Sequence, residues 1–344
     1  MRAIVKTAPE PGALELREVE TPVPRPGQAL IKITGAGICG TDIAIWRWHE
    51  QIVGQYNAIF PLVPGHEMAG TVVESTTGEL APGTLVGVNP QIACGRCEYC
   101  AVGRSTLCVR RVFIGGGING GWAEYAVVPE KNCFAVPEGC DPAVAPLMEP
   151  LAVAAHAVIE RVPPVPGDLV AVIGCGPIGL LTLVLARNAG AANVVVTGTR
   201  ADAARLELAR ELGGIPVNID ETDPVDVVRS LGWDGADIVY ETSGNPAVPE
   251  QAISMARRGG RLALVGLASR PSELLMTPIV LRELELIGSR GYSESTWNAL
   301  LRVLPAVHVD ALKVVSHRMP LTDVETALEL LTSSRSANKI LLVP

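Results

Sequence analysis

Four cysteines fall within fifteen residues, at Cys94, Cys97, Cys100 and Cys108. Thiolates at that spacing suit convergence on one tetrahedral Zn2+, with Gly95 and Gly103 permitting the tight turns between them. Bacterial iron–sulfur ligation begins in the same way, but its fourth cysteine follows after three residues and precedes proline. Here the gap is seven residues and Val109 follows. A zinc site filled entirely by protein stabilises a lobe and does no chemistry. A second set has mixed donors: Cys39 in Gly37-Ile-Cys-Gly-Thr-Asp42, and the pair His66-Glu67 in Pro64-Gly-His-Glu-Met-Ala-Gly70. A thiolate, an imidazole and one or two carboxylates suit a catalytic Zn2+ that keeps a place for water or substrate. Taken singly, each has a plainer reading: an isolated cysteine packs as a small hydrophobe, and a lone histidine sits satisfied in a core.

A third pattern is Val170-Ala-Val-Ile-Gly174-Cys-Gly176-Pro177-Ile178-Gly179, an apolar strand running into Gly-x-Gly-x-x-Gly and then an apolar helix. The first glycine permits a tight turn, the second lets backbone approach a pyrophosphate, and the third lets helix and strand pack closely. Amides at the helix N-terminus then face the phosphates. About 20 residues further on, an acidic residue would bind the ribose 2′-hydroxyl of NAD. The sequence there is Val196-Thr-Gly198-Thr199-Arg200, with no carboxylate at the strand end; Asp202 belongs to the following helix start. Gly198 leaves space, Thr199 offers a hydroxyl and Arg200 can pair with a 2′-phosphate, so these residues favour NADP(H) over NAD(H). Read as a solvated helix-start residue, Arg200 leaves NAD(H) open.

The elements that position these residues divide the 344-residue chain. Up to about residue 150, short β-branched runs such as Ala3–Val5, Ala29–Ile33 and Gly70–Glu74 are separated by Gly and Pro, predicting an antiparallel, barrel-like domain. From there to about 289, strands at Leu169–Gly174, Val194–Thr197, Asp237–Glu241 and Arg261–Gly266 alternate with helices at Ile178–Ala189 and Ala201–Leu212. That alternation predicts βαβ units and a parallel sheet. A helix at Val324–Leu331 and a strand at Lys339–Val343 follow, in a tail expected to fold back onto the first domain. The apolar run Leu169–Ala186 has the length of a membrane span, but Gly174, Gly176 and Pro177 interrupt it. The N-terminal residues precede no apolar signal region, so a cytoplasmic protein with reduced thiols is expected. With 28 Lys plus Arg against 36 Asp plus Glu, the net charge of -8 argues against nucleic acid or an anionic membrane as partner.

Gly65-His66-Glu67, Cys39-Gly-Thr-Asp42, the four-cysteine lobe and Glu149-Pro-Leu151 occur together and in order. In this the chain resembles zinc-dependent medium-chain dehydrogenases of the alcohol dehydrogenase superfamily, in the branch of polyol (sorbitol) and threonine dehydrogenases. The resemblance runs from about residue 3 to 343. It implies an α/β chain: a GroES-like, β-barrel-type catalytic domain over 1–150, completed by 290–344, and a Rossmann doubly wound parallel sheet over 151–289. It implies two Zn2+ per chain, one structural, the other catalytic and held by Cys39, His66 and Glu67, with Glu149 ligating it directly or holding its water. Bland capping of the following helix is the other reading of Glu149.

The resemblance also assigns the Thr41 hydroxyl the first step of a proton relay. The family often has a histidine two residues after the motif's Asp; here that position is Ala44, and His49 is the candidate substitute. Gly198-Thr199-Arg200 resembles the Gly-Ser-Arg pattern of NADP-dependent secondary alcohol dehydrogenases. Val265 and Leu267 fall where the family contacts the nicotinamide carboxamide, and Ser289 and Arg290 in its segment near cofactor and substrate. The implied activity is hydride transfer between a secondary alcohol (a polyol, sugar-derived or amino alcohol) and NAD(P), in a homodimer or homotetramer. A non-catalytic zinc- and nucleotide-binding protein of the same fold and a zinc-dependent primary alcohol or aldehyde reductase are the alternatives.

Overall fold

In the computed structural model, which describes residues 1–344 apart from the side chains of Gln51 and Ile52, the β-branched runs at the start of the chain form short antiparallel strands. These are β1 (Arg2–Lys6), β2 (Leu14–Glu18), β3 (Gln28–Gly37), β4 (Glu67–Ser75), β5 (Leu85–Val88), β6 (Gln91–Ile92), β7 (Val112–Phe113), β8 (Tyr125–Pro129) and β9 (Cys133–Ala135). Along β3, buried residues alternate with partly exposed ones, as a half-covered strand requires. Its inward residues Ile31 and Ile33 share a core with Val72, Val86, Val128 and Leu342.

Six strands then make the second unit: β10 (Leu169–Ile173), β11 (Asn193–Gly198), β12 (Ile215–Asn218), β13 (Ala236–Glu241), β14 (Ala256–Leu264) and β15 (Glu285–Gly288). All pair in parallel, in the order β12-β11-β10-β13-β14-β15. This is the doubly wound dinucleotide-binding order, whose ligands sit outside the carboxyl ends of the strands. Every residue of β10 is buried, because a parallel sheet is covered on both faces. β14 begins at Ala256, earlier than Arg261, and its register with β13 shifts between Ala236 and Ile238.

The chain returns to the first unit with β16 (Val315–Pro320) and β17 (Lys339–Val343), completing a sheet of order β16-β17-β3-β4-β5-β9, with β8 also on β3. The units are Met1–Glu149 with Val315–Pro344, and Pro150–Val314. The return therefore falls at Val315, later than the position near 290 that the resemblance implied. The helix Glu294–Leu312 packs against the helix Pro177–Asn188 and buries Trp297, Leu300 and Leu304, so packing assigns it to the second unit.

The apolar run Leu169–Ala186 is split between β10, a glycine turn and the helix Pro177–Asn188. The helical stretch long and apolar enough to cross a membrane is a different one, Pro142–Arg161, and 78% of its window is buried inside the protein. It is continuous but of three kinds: 3-10 over Pro142–Leu147, α over Met148–Ala155 and π over His156–Arg161.

Candidate active site

Two neighbouring strand ends bring the mixed donors together. β3 stops at Gly37 opposite Glu67, the first residue of β4. A side chain at Gly37 would collide with the Glu67 carboxylate, its Cβ falling 2.0 Å from Oε2. Gly65 has φ +91°, and a Cβ there would strike the Trp122 ring at 2.2 Å, so the turn delivering His66 admits only glycine. Cys39 caps the helix Gly40–Arg47, and Asp42 completes the cap by accepting the Cys39 backbone N–H at 2.8 Å. The other Asp42 oxygen accepts from His66 Nδ1 at 3.2 Å. With Nδ1 so engaged, Nε2 is left as the ligating nitrogen.

Ligand atoms of Cys39, His66 and Glu67 all lie within 4.8 Å of one another, a thiol, an imidazole and a carboxylate as a catalytic zinc site uses. Lys339, on β17, donates to both Glu67 oxygens at 2.7 Å and to the Ile38 carbonyl at 3.0 Å. A carboxylate has about four lone-pair sites, so this pairing leaves capacity for a metal. Burial opposes charge on Lys339, but Glu67, with Cys39 and Glu149 behind it, holds the ammonium pKa above its usual value. Burial likewise opposes a charged His66, yet Asp42 and the Cys39 thiol hold its pKa well above the ordinary value.

Glu149 is buried in the first turn of the helix Met148–Ala155, outside the three-residue cluster. Thr41 is half-buried on the first turn after Cys39, and His49 is exposed just past Trp48, which ends that helix in the left-handed conformation. Asp42 and Lys339 were not picked out from sequence. Asp42 carried a usable signal, lying three residues after the capping Cys39 as in a capping box. Lys339 carried none.

The four-cysteine lobe also converges, with its sulfurs within 4.8 Å of one another. The Cys94 backbone N–H donates to Cys108 Sγ at 3.2 Å, and Cys97 and Cys100 sulfurs are 3.4 Å apart. The Arg96 N–H brings the Cys94 thiol down to about 6, and the Cys100 N–H lowers that of Cys97, while desolvation pushes Cys100 up to about 11. Thiolate, the metal-binding form, is thus favoured where backbone amides point at sulfur.

In the second unit the glycine turn leaves β10. Gly174 has φ +97°, and a Cβ at Gly179 would sit 1.9 Å from the Gly174 carbonyl, so helix and strand touch there. A Cβ at Gly176 would meet nothing within 4 Å, leaving open space over the start of the helix Pro177–Asn188, with Pro177 and Ile178 in its first turn. These are the features that let a pyrophosphate approach the backbone.

Gly198 departs from expectation. It does not open space, because a Cβ there would lie 2.6 Å from Cys175 Sγ and 3.2 Å from Asp202 and Leu206. Its missing side chain serves packing. Thr199 is engaged too: its hydroxyl and N–H donate to Asp202 Oδ2 at 2.7 and 3.0 Å. Arg200 is exposed at the strand end, 3.7 Å from Glu221. At the end of β13, Glu241, which the sequence did not flag, accepts from Ser243 N–H and Oγ and from Gly244 N–H. Its carbonyl takes the N–H groups of Val265 and Gly266, fixing the loop that leads to the exposed Leu267. Past β15, Ser289 is buried and, among the described residues, its hydroxyl has no hydrogen-bond partner; Arg290 is exposed.

Residues 25–138 match the alcohol dehydrogenase GroES-like domain, and residues 177–306 match the zinc-binding dehydrogenase domain. An L-threonine 3-dehydrogenase of Saccharopolyspora erythraea is 38% identical over 346 residues, covering 99% of this chain and 98% of its own. The chain belongs to the zinc-dependent alcohol dehydrogenase family. As a member it is an NAD(P)-dependent oxidoreductase acting on CH–OH donors. The structure of 2R,3R-butanediol dehydrogenase from Bacillus subtilis is similar at a TM-score of 0.90 and 29% identity, covering 100% of this chain and 99% of that one. An alcohol dehydrogenase from Escherichia coli CFT073, solved with NADH, has the same TM-score, identity and coverage. A zinc-binding dehydrogenase from Sinorhizobium meliloti 1021, bound to NADP, has a TM-score of 0.88 and 31% identity, again covering 100% and 99%.

Proposed function

We propose that this dehydrogenase interconverts a secondary carbinol bearing a neighbouring hydroxyl or amine with the matching carbonyl compound, with NADP(H) preferred to NAD(H). The observation that carries the reaction is the mixed-donor cluster of Cys39, His66 and Glu67, backed by Asp42 and Lys339. When bound, Zn2+ supplies Lewis-acid polarisation of the substrate oxygen and the nicotinamide supplies the two-electron acceptor. In this reading Cys39, His66 and Glu67 hold the metal, and Glu149 completes the set directly or through water. The Thr41 hydroxyl receives the substrate proton, and His49, on the exposed side, passes it to solvent. The substrate class rests on similarity to dehydrogenases of L-threonine and 2R,3R-butanediol, both of which carry a heteroatom beside the reacting carbinol.

The cofactor reading rests on Arg200. Asp202, the nearest carboxylate in sequence to the end of β11, is taken up by Thr199, while the Arg200 guanidinium is exposed and, among the described residues, makes a long surface pair with Glu221. Such pairs contribute little, so a 2′-phosphate displaces Glu221 readily. Gly174, Gly176, Pro177, Ile178 and Gly179 cradle the pyrophosphate, Thr199 borders the adenosine ribose, and Val265, Leu267, Ser289 and Arg290 border the nicotinamide half. Four cysteines, Cys94, Cys97, Cys100 and Cys108, hold the structural zinc. β15 has a neighbour on one side only, and exposed Leu275, Met276, Val280 and Leu281 lie near it in sequence, which supports a homodimer or homotetramer. The protein is assigned to the cytoplasm.

Measuring kcat/KM for L-threonine, 2,3-butanediol and sorbitol with both nucleotides tests these points. A preference for NAD above roughly tenfold rejects the role given to Arg200. Turnover confined to primary alcohols rejects the substrate class. Elemental analysis is expected to find two zinc ions per chain.

A further inference from the structure

The π-helical turn His156–Arg161 lies outside every motif, yet two consecutive residues at its end grip both ends of one short connection. Arg161 Nε donates to the carbonyl of Gly288, the last residue of β15, at 3.1 Å. Glu160 takes the other end. Its Oε1 accepts from Ser295 Oγ at 2.7 Å, its Oε2 from Thr296 Oγ1 at 2.7 Å, and both oxygens lie 3.1 Å from Ser293 Oγ. Ser293 caps the helix Glu294–Leu312. His156 completes the network by donating from Nδ1 to Glu160 Oε2 at 2.7 Å. The hydroxyls and His156 hold the Glu160 carboxyl below its usual pKa against the opposing effect of burial, so it is the ionised form that is gripped.

Between these anchors lie only residues 289–292. They leave the carboxyl end of a strand in a doubly wound sheet, where ligands bind. Within them the Ser289 hydroxyl is nine-tenths buried and has no partner among the described residues, an arrangement that costs free energy unless a ligand or an ordered water supplies the missing bond. The Ser289 N–H, by contrast, is satisfied by the Leu264 carbonyl at 2.9 Å, so the residue is held while its hydroxyl is left available. A regular α-helix ending at the same place would carry positions 160 and 161 about 100° apart but with a different phase relative to residue 155, because a π turn inserts an extra residue.

We infer that Glu160 and Arg161 are positioning residues for the nicotinamide cofactor: they clamp the 288–293 connection so that Ser289 and Arg290 stand ready before the nucleotide arrives. This rests on the reading above that Ser289 and Arg290 border the cofactor. The clamp acts by preorganisation, so its loss weakens cofactor binding more than it slows the chemical step.

The test uses the full-length enzyme with its zinc. Arg161→Met is the first variant, because Arg161 is exposed and its removal leaves the buried network intact. The dissociation constants of NADPH and NADH, read by nucleotide fluorescence, are expected to rise about tenfold, as is the cofactor KM, with kcat and the melting temperature little changed. Arg161→Lys, which can still reach the Gly288 carbonyl, is expected to recover most of the loss. Glu160→Gln is expected to weaken the cofactor in the same way with some loss of stability. Wild-type affinity in both Arg161→Met and Glu160→Gln overturns the clamp and leaves the dehydrogenase reading standing. A loss that follows the melting temperature and is not recovered by lysine overturns it as well. A wild-type enzyme that binds neither NADH nor NADPH overturns the assignment of Ser289 and Arg290, and the clamp with it.

Discussion

The two candidate metal clusters are built on opposite plans. Cys94, Cys97, Cys100 and Cys108 come from one stretch of fifteen residues, use one kind of donor, and take their nearest polar help from backbone amides such as those of Cys94 and Arg96. Cys39, His66 and Glu67 come from two strand ends, use three kinds of donor, and each rests on something charged behind it. Asp42 orients His66 and caps at Cys39, and Lys339 holds Glu67. A site that only ties a loop together needs ligands and turns. A site that must present a metal to substrate needs its ligands fixed from behind, because the front is given over to chemistry.

The contrast breaks most sharply under substitution of a single ligand on each side. Cys39→Ser is expected to lower kcat by roughly 1,000-fold or more while the melting temperature stays close to wild type. Cys97→Ser is expected to do the reverse first, releasing one zinc per chain and lowering the melting temperature, with activity failing only as the lobe loosens. If both variants lose activity and stability in parallel, the division into a working and a tying site is wrong. Lys339→Met comes next. It leaves Glu67 as a buried carboxylate without its counter-ion, a loss of about 3–5 kcal/mol in comparable cases. Chemical denaturation measures it, and the destabilisation is expected to grow when a chelator strips the metal. Asp42→Asn is gentler: zinc affinity is expected to fall about 10- to 100-fold, with activity recovered by added zinc, as read in a metal titration.

The smallest effect lies outside both clusters and serves as a control. Glu130 is held down to about 2, against the opposing effect of burial, by hydrogen bonds from Thr77 and its neighbours. Against an unfolded value of about 4.3, its contribution is complete above that pH and is lost as pH falls toward the folded value. Wild type is therefore expected to be more stable than Glu130→Gln near neutrality, with the difference shrinking in acid. A pH-independent difference between their melting temperatures would refute this, and neither zinc content is expected to change.

What was legible in the sequence was what local backbone or local spacing determines. The turn needs glycine at Gly174 for its positive φ and at Gly179 for its approach to the Gly174 carbonyl, reasons local to six residues, and the cysteine lobe closes over fifteen. The parallel sheet of the second unit followed from the alternation of strands and helices, and its doubly wound character from the resemblance. What stayed hidden depends on packing between distant segments. Composition could not show that Glu294–Leu312 belongs to the second unit, because Trp297 and Leu300 are apolar in either setting. Gly198 looked like room for a phosphate when it is room for Cys175. Within the π turn His156–Arg161, Glu160 is held by a hydroxyl network some 135 residues away in sequence, and no pattern within His-Ala-Val-Ile-Glu-Arg announces it.

The ion pair between Glu67 and Lys339 closes a loop of 272 residues, and that loop contains the entire second unit. The entropy of bringing such ends together grows only slowly with length, but contacts so far apart in sequence form late. The candidate catalytic cluster is thus assembled across the two pieces of an interrupted unit, and its last charge arrives after the nucleotide-binding strands have been synthesised. An order of assembly is built into the chain: the nucleotide unit has every residue it needs before the zinc unit does. Proteins arrested before residue 339 hold Cys39 and His66 without the lysine that steadies Glu67.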